Sequence, residues 1–140
     1  MFLANSKPTS VFATAIKKAD QSIPDEDNVN VIITFENGSI ATITYVAFGN
    51  RELPKEFIEV FAPEIAMQMD NFRELTVYQG TSKDRTKSSN QDKGFEAEFE
   101  AFAAAIKSGN PAISFEDLYA VSKVTFKVLE SLRNGEVVKL

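Results

Sequence analysis

Lys93-Gly94-Phe95-Glu96-Ala97-Glu98-Phe99-Glu100-Ala101-Phe102-Ala103-Ala104-Ala105-Ile106-Lys107-Ser108-Gly109-Asn110-Pro111 is the stretch that decides the fold. Phe95, Phe99, Phe102 and Ile106 recur at i, i+4, i+7 and i+11, one stripe on an α-helix. Gly109 and Pro111 stop that helix. Ser114 with Asp117 opens a second one, running from Phe115 to Leu132. Phe99, Phe102 and Ile106 are expected in the core.

A block of strands precedes the helices. Its strongest local signal is Val29–Phe35 and Ile40–Val46 flanking Glu36-Asn37-Gly38-Ser39. Asn-Gly is the preferred pair for a type I′ turn, because both residues tolerate positive φ. A turn of that type sets Phe35 opposite Ile40, Ile33 opposite Thr42, Val31 opposite Thr44 and Val29 opposite Val46 on one face. Thr34 with Ala41, Ile32 with Ile43 and Asn30 with Tyr45 then occupy the other face. Val11–Lys18 reads as an earlier strand after a turn at Asn5-Ser6-Lys7-Pro8, and Ala19–Asn28 as an acidic loop. Phe57–Phe61, Ile65–Met69 and Leu75–Tyr78 are three more strands, with turns near Pro63 and Asp70-Asn71. Thr81–Asp92 is polar enough for an exposed edge strand or a solvated loop, and Val137–Leu140 closes the chain as a short strand.

Strands followed by helices define an α+β class: a two-layer, mostly antiparallel (mixed) sheet with helices packed on one face. The other face, with Ile32, Ile43, Tyr45 and Phe57 or Phe61, stays available for an interface. At 140 residues, 44% of them apolar, the chain fits a single domain spanning 1–140. No internal repeat or low-complexity tract interrupts it.

Composition narrows the chemistry. A net charge of −5 argues against nucleic acid and anionic lipid as main partners. No apolar run approaches the roughly 18 residues of a membrane span, and no signal-peptide pattern opens the chain. Without cysteine there is no disulfide framework, which fits a cytoplasmic location. Without histidine as well, there is no Ser-His or Cys-His nucleophile system and no imidazole or thiolate for zinc. The six glycines are scattered, so neither Gly-x-Gly-x-x-Gly nor a P-loop occurs. Asp25, Glu26 and Asp27 match no EF-hand spacing and read as a solvated acidic turn. Glu96, Glu98 and Glu100 read as the solvated side of a helix rather than a hydrolase pair.

The ordered pattern resembles the C-terminal domain of glucose-fructose oxidoreductase/inositol dehydrogenase (Gfo/Idh/MocA) family enzymes. Val29–Phe35 with Glu36-Asn37-Gly38-Ser39 and Ile40–Ile43 is similar to the family's hairpin, and Lys55–Ala62 and Asn71–Leu75 to the segments after it. Phe95–Gly109, Ile113–Asp117 with Leu129–Leu132, and Gly135–Val138 are similar to its two helices and closing strand. Arg51–Glu56 and Gln91–Gly94 look most like the branch fused to zinc-type alcohol dehydrogenase modules. The family's N-terminal Rossmann domain, its Glu-Lys-Pro lysine and its Asp/His helix have no counterpart here. Phe2–Pro8 resembles the ending of that helix, so the chain is expected to start just after the missing histidine.

What the resemblance implies is a substrate-binding and oligomerisation domain, inactive alone. NAD or NADP would belong to the full-length protein and none to this chain. The expected partners are an N-terminal Rossmann domain and further copies of the chain through the open sheet face. No catalytic, cofactor-binding or metal-binding residue is assigned. The substrate-facing candidates are Tyr45, Asn50, Arg51, Lys55, Gln91 and Lys93, each with a competing reading as a solvated loop residue or, for Tyr45, an interface filler. Phe95 stands where relatives often carry Tyr or His. The alternative to the dehydrogenase reading is a stand-alone binding or assembly module.

Overall fold

The protein is described by a computed structural model that covers residues 2–16 and 25–140. Its elements in chain order are β1 (Pro8–Ala15), a one-turn 3-10 helix (Asp25–Asp27), β2 (Asn28–Phe35), β3 (Ile40–Val46), β4 (Phe57–Ala62), β5 (Ile65–Asp70), β6 (Glu74–Gln79), β7 (Ser82–Lys87), α1 (Phe95–Ser108), α2 (Phe115–Asn134) and β8 (Val138–Lys139). The class is α+β, as the order of elements predicts. Among the described residues every strand pairing is antiparallel. The strands divide between two four-stranded sheets instead of forming one, with orders β3-β2-β1-β8 and β4-β5-β6-β7. Two compact units result: residues 1–49 with 113–140, and residues 50–112. Lys17, Lys18 and the acidic loop up to residue 24 lie outside the described residues.

In the first unit α2 lies over β1 and β8. Val11, Ala13, Val31, Ile33, Phe35 and Val138 are buried, and Val124, Val128 and Leu132 of α2 pack on them. Full burial of a Val, Ile or Phe side chain contributes about 1.5–3 kcal/mol, so this cluster is what fixes α2 to the sheet. The helix starts where its cap dictates: Ser114 Oγ accepts from the backbone N–H of Asp117 at 3.1 Å and donates to Asp117 Oδ2 at 2.9 Å. It ends at Gly135, whose φ of 73° is open to glycine without steric cost and whose N–H reaches Ser131 O.

The expected β2–β3 register is corrected by one residue. Thr34 faces Ile40, Ile33 faces Ala41, Val31 faces Ile43 and Val29 faces Tyr45. The turn is not type I′. Positive φ falls on Gly38 (83°) and not on Asn37. Gly38 N–H donates to Phe35 O and Phe35 N–H to Ser39 O, both at 3.0 Å. That is a type I turn followed by a left-handed glycine, the bulged three-residue hairpin loop. Long-range ties favour it: Asn37 N–H donates to Ser6 Oγ, Asn37 Nδ2 to Ala4 O and Glu36 N–H to Lys7 O. Asn37 is held by the N-terminal turn and leaves the positive φ to Gly38 alone. The core face of β2 is the one the alternation predicts. Ile43 and Tyr45, however, move to the helix side of the sheet. There they stay exposed because α2 covers β1 and β8 rather than β3.

In the second unit the parity of each strand separates two faces. Ile58, Val60, Met67, Met69, Leu75 and Val77 share one. Phe57, Glu59, Phe61, Gln68, Thr76, Tyr78 and the cations of β7 share the other. The segment that left edge strand and loop open forms the edge strand, with all of β7 exposed.

A second correction concerns α1. Its expected core stripe is not core: no residue of the helix is buried, and Phe99 is 73% exposed. Local chemistry accounts for the helix itself. Alanines fill its interior, Glu96 and Glu98 sit at the positive end of the helix dipole, and Lys107 at the negative end. Gly109 (φ 73°) closes it by donating to Ala105 O at 2.9 Å. None of this requires the stripe to be covered.

Candidate functional site

The connection from β7 to α1 crosses the end of the second sheet and is tied down there. Ser88 N–H donates to Arg73 O at 2.8 Å. Gln91 Nε2 donates to Asn71 O at 3.1 Å and to Asn71 Oδ1 at 2.8 Å. Lys93 Nζ pairs with Glu56 Oε1 at 3.5 Å. Asn71 N–H in turn donates to Glu56 O at 2.6 Å. Gln91 and Lys93, two of the six candidates, therefore converge on the junction between the start of β4 and the end of β5. The turn they grip has φ of 49° at Asn71 and 53° at Phe72, with Arg73 N–H donating to Asp70 O, a type I′ arrangement. Gln91 clamps its first central residue.

The other candidates are placed differently. Asn50 forms a local turn, its Oδ1 accepting from Glu52 N–H at 2.9 Å and its carbonyl from Leu53 N–H at 3.1 Å. Arg51 and Lys55 are exposed in the same connection. Tyr45 belongs to the other compact unit, on β3, 57% exposed.

Sequence reading missed a polar network on the second sheet. Glu59, Gln68, Thr76 and Arg85 stand in one cross-strand row, with Phe61, Ala66, Tyr78 and Lys83 in the next. Gln68 Nε2 donates to Glu59 Oε1 at 2.8 Å, and Tyr78 OH to Gln68 Oε1 at 3.4 Å. Lys83 Nζ sits 5.3 Å from the centre of the Tyr78 ring, within cation–π range. Glu74 receives Arg85 Nε, and Lys87 Nζ lies 3.2 Å from its second oxygen. Hydrogen bonding to Arg85, reinforced by Lys87 and opposed by desolvation, holds the Glu74 carboxyl below its ordinary range. The same bond raises Arg85. A signal was present: Lys83, Arg85 and Lys87 alternate along β7, and such alternation puts three cations on one face.

Among the described residues no group of three or more His, Cys, Asp or Glu side chains is placed to hold a metal ion. A dinucleotide pyrophosphate seeks a helix N-terminus behind a glycine-rich loop. Here α1 carries Glu96 and Glu98 in its first turn, and α2 carries Glu116 and Asp117 with its cap filled by Ser114. These carboxylates repel a pyrophosphate, so neither helix N-terminus is suited to hold that of a nicotinamide dinucleotide. Among the described residues no helix is long and apolar enough to cross a membrane.

With this geometry in hand, comparison with known proteins identifies the fold. An aldose-aldose oxidoreductase from Caulobacter crescentus, solved with glycerol, superposes with a TM-score of 0.80 at 20% identity, over 99% of this chain and 43% of its own. Levoglucosan dehydrogenase in complex with NADH and L-sorbose gives 0.76 at 18% identity, over 95% and 44%. UDP-N-acetylglucosamine 3-dehydrogenase from Acidithiobacillus ferrooxidans gives 0.75 at 16%, over 91% and 41%. The chain thus has a fold found in Gfo/Idh/MocA-type oxidoreductases, and the resemblance read from the sequence holds at the level of the fold. It spans less than half the length of these proteins. No protein-family model matches the chain, and no curated protein matches it in sequence.

Proposed function

We propose that the 140 residues act as one domain: the C-terminal substrate-binding and oligomerisation domain of an NAD(P)-dependent dehydrogenase for a sugar, polyol or sugar derivative. The observation that carries this reading is an asymmetry of coverage. Nearly all of this chain superposes on sugar-modifying oxidoreductases, yet it accounts for only 41–45% of each of them. The cofactor would be held by an N-terminal Rossmann domain, consistent with two helix N-termini here that repel phosphate. Alone the chain is inactive, and its place is the cytoplasm.

Two features support a wall-and-docking role. Phe95, Phe99, Phe102 and Ile106 form an exposed apolar stripe of the kind that marks a surface to be covered. On one face of the second sheet Glu59 lies on the β4 edge and Lys83 and Arg85 on the β7 edge, a pattern suited to a further copy of the chain. Arg51 and Lys55, exposed in the connection that leads into β4, are the substrate-facing residues of first choice, with Asn50, Gln91 and Lys93 positioning their loops. Tyr45 is assigned to substrate or interface.

The test is the in-frame region upstream together with cofactor binding. The reading expects a Rossmann domain upstream, NAD(P)-dependent oxidation of polyols by the joined protein, and no NADH binding by this chain. Appreciable NADH affinity of the 140 residues, or an upstream frame encoding no such domain, overturns it. The second outcome leaves the stand-alone assembly module, which the exposed apolar stripe also suits.

A further inference from the structure

Strand β3 is the outer strand of the first sheet. It reads Ile40-Ala41-Thr42-Ile43-Thr44-Tyr45-Val46, with no charge, proline or glycine, and six of its seven residues are exposed. Edge strands are normally blunted by lysine, proline, a bulge or a cover, because their free N–H and C=O groups recruit another strand. Among the described residues β3 has none of these devices.

The direction of its backbone groups follows from the ladder. Phe35 N–H donates to Ser39 O and Ala47 N–H to Asp27 O, so odd-numbered residues of β3 point their amides toward β2. Ile40, Thr42, Thr44 and Val46 therefore aim N–H and C=O outward.

Reversed about Ile43, the strand matches itself. Ile40 meets Val46, Thr42 meets Thr44, Ala41 meets Tyr45 and Ile43 meets Ile43. Every outward-aimed residue opposes another, so all of those groups are satisfied in hydrogen-bonded pairs, and Ile43 lies on the axis in a non-hydrogen-bonded pair. The side chains agree as well. Apolar meets apolar and Thr meets Thr on the open face, while the small Ala41 makes room for the second copy's Tyr45 on the other. We infer that β3 is a homotypic edge. Two copies of this chain pair their β3 strands antiparallel about Ile43, joining two four-stranded sheets into a continuous eight-stranded one. The opposite edge, β8, has two residues, too short to propagate the contact, so association closes at a dimer. This edge-to-edge contact is separate from association through the open sheet faces and does not depend on the dehydrogenase reading.

The experiment is sedimentation velocity of the 140-residue chain with oxidative cross-linking. The chain has no cysteine, so Ile43→Cys places one thiol opposite its own symmetry mate. Mild oxidation with diamide should give a disulfide-linked dimer in high yield, while Thr42→Cys, facing Thr44, should cross-link poorly. Thr44→Pro removes an outward N–H without touching the β2 ladder, and should weaken self-association about tenfold or more. Thr42→Lys should do the same with an unchanged circular dichroism spectrum, which guards against a folding defect in the proline variant. A monomeric wild-type chain overturns the inference. So does a dimer insensitive to Thr44→Pro and Thr42→Lys but broken by Ile32→Lys on the open face, or equal cross-linking at positions 42 and 43.

Discussion

The hydroxyl of Ser131, on α2, stands in for a missing rung of the sheet beside Ala13. Val11 pairs with Val138 and Ser10 with Lys139, so the next β8 partner for Ala13 in that register is Glu136. Those two residues do not bond directly. Ala13 N–H donates to Ser131 Oγ at 2.9 Å, and Ser131 Oγ donates to Glu136 O at 2.6 Å. One fully buried serine thereby satisfies two backbone groups past the end of a two-residue strand and pins α2 to β1. Ser131→Ala leaves both without a partner and should destabilise the chain by about 1–3 kcal/mol. Urea denaturation measures it, and a change below about 0.5 kcal/mol would show that water replaces the hydroxyl.

Gly38→Ala puts a Cβ on a residue with φ of 83°. It should cost about 1 kcal/mol, although the space around the position is open, because the penalty lies in the backbone and not in packing. An unchanged unfolding midpoint would argue against the bulged loop.

Phe72 is a bulky residue held at φ of 53° in the β5–β6 turn. Phe72→Gly creates the Asn-Gly pair that a type I′ turn prefers, and should stabilise the chain by about 0.5–1 kcal/mol. Thermal unfolding would show the midpoint rising. A fall would mean that the ring contributes more than the strain costs.

Glu74 provides the pH dependence. Its folded pKa lies below the unfolded value of about 4.5, so its contribution is present above that value and is lost as pH falls through the folded pKa. Above that value the amides of β7 should therefore exchange faster in Glu74→Gln than in the parent, and the difference should shrink as pH falls through the folded pKa, where the parent carboxyl is itself neutral. If the variant and the parent exchange identically at neutral pH, the Glu74–Arg85–Lys87 cluster does not hold the edge strand.

Phe99→Ser should change the stability of the 140-residue chain by no more than about 0.5 kcal/mol, since the ring is exposed. The same substitution in a protein carrying the upstream domain should cost several times more if that domain covers the stripe. Equal costs in the two settings would leave the stripe uncovered in both.

Much of this was legible in the chain. Alternation along β2 picked out its buried face, Gly109 marked the end of the first helix and Ser114 the start of the second, and the order of elements carried the α+β class. The hairpin shows where local information stops. Asn-Gly suits a type I′ turn and a bulged type I turn alike, and contacts from Ala4, Ser6 and Lys7 more than 25 residues away select the second. Gln91 and Lys93 were candidates as polar residues of a loop, whereas their partners Asn71 and Glu56 lie 20 and 37 positions away and left no local trace.

By itself the sequence determined which segments coil and which extend, because dihedral preference, capping and period act over a few neighbouring residues. Tertiary structure alone decided that the strands divide into two sheets, that β3 slips by one residue, that Ser131 completes a ladder 118 positions away and that the phenylalanine stripe of α1 faces outward. Each of those outcomes depends on which distant surfaces meet, and a helix with an apolar stripe forms equally well whether or not anything arrives to cover it.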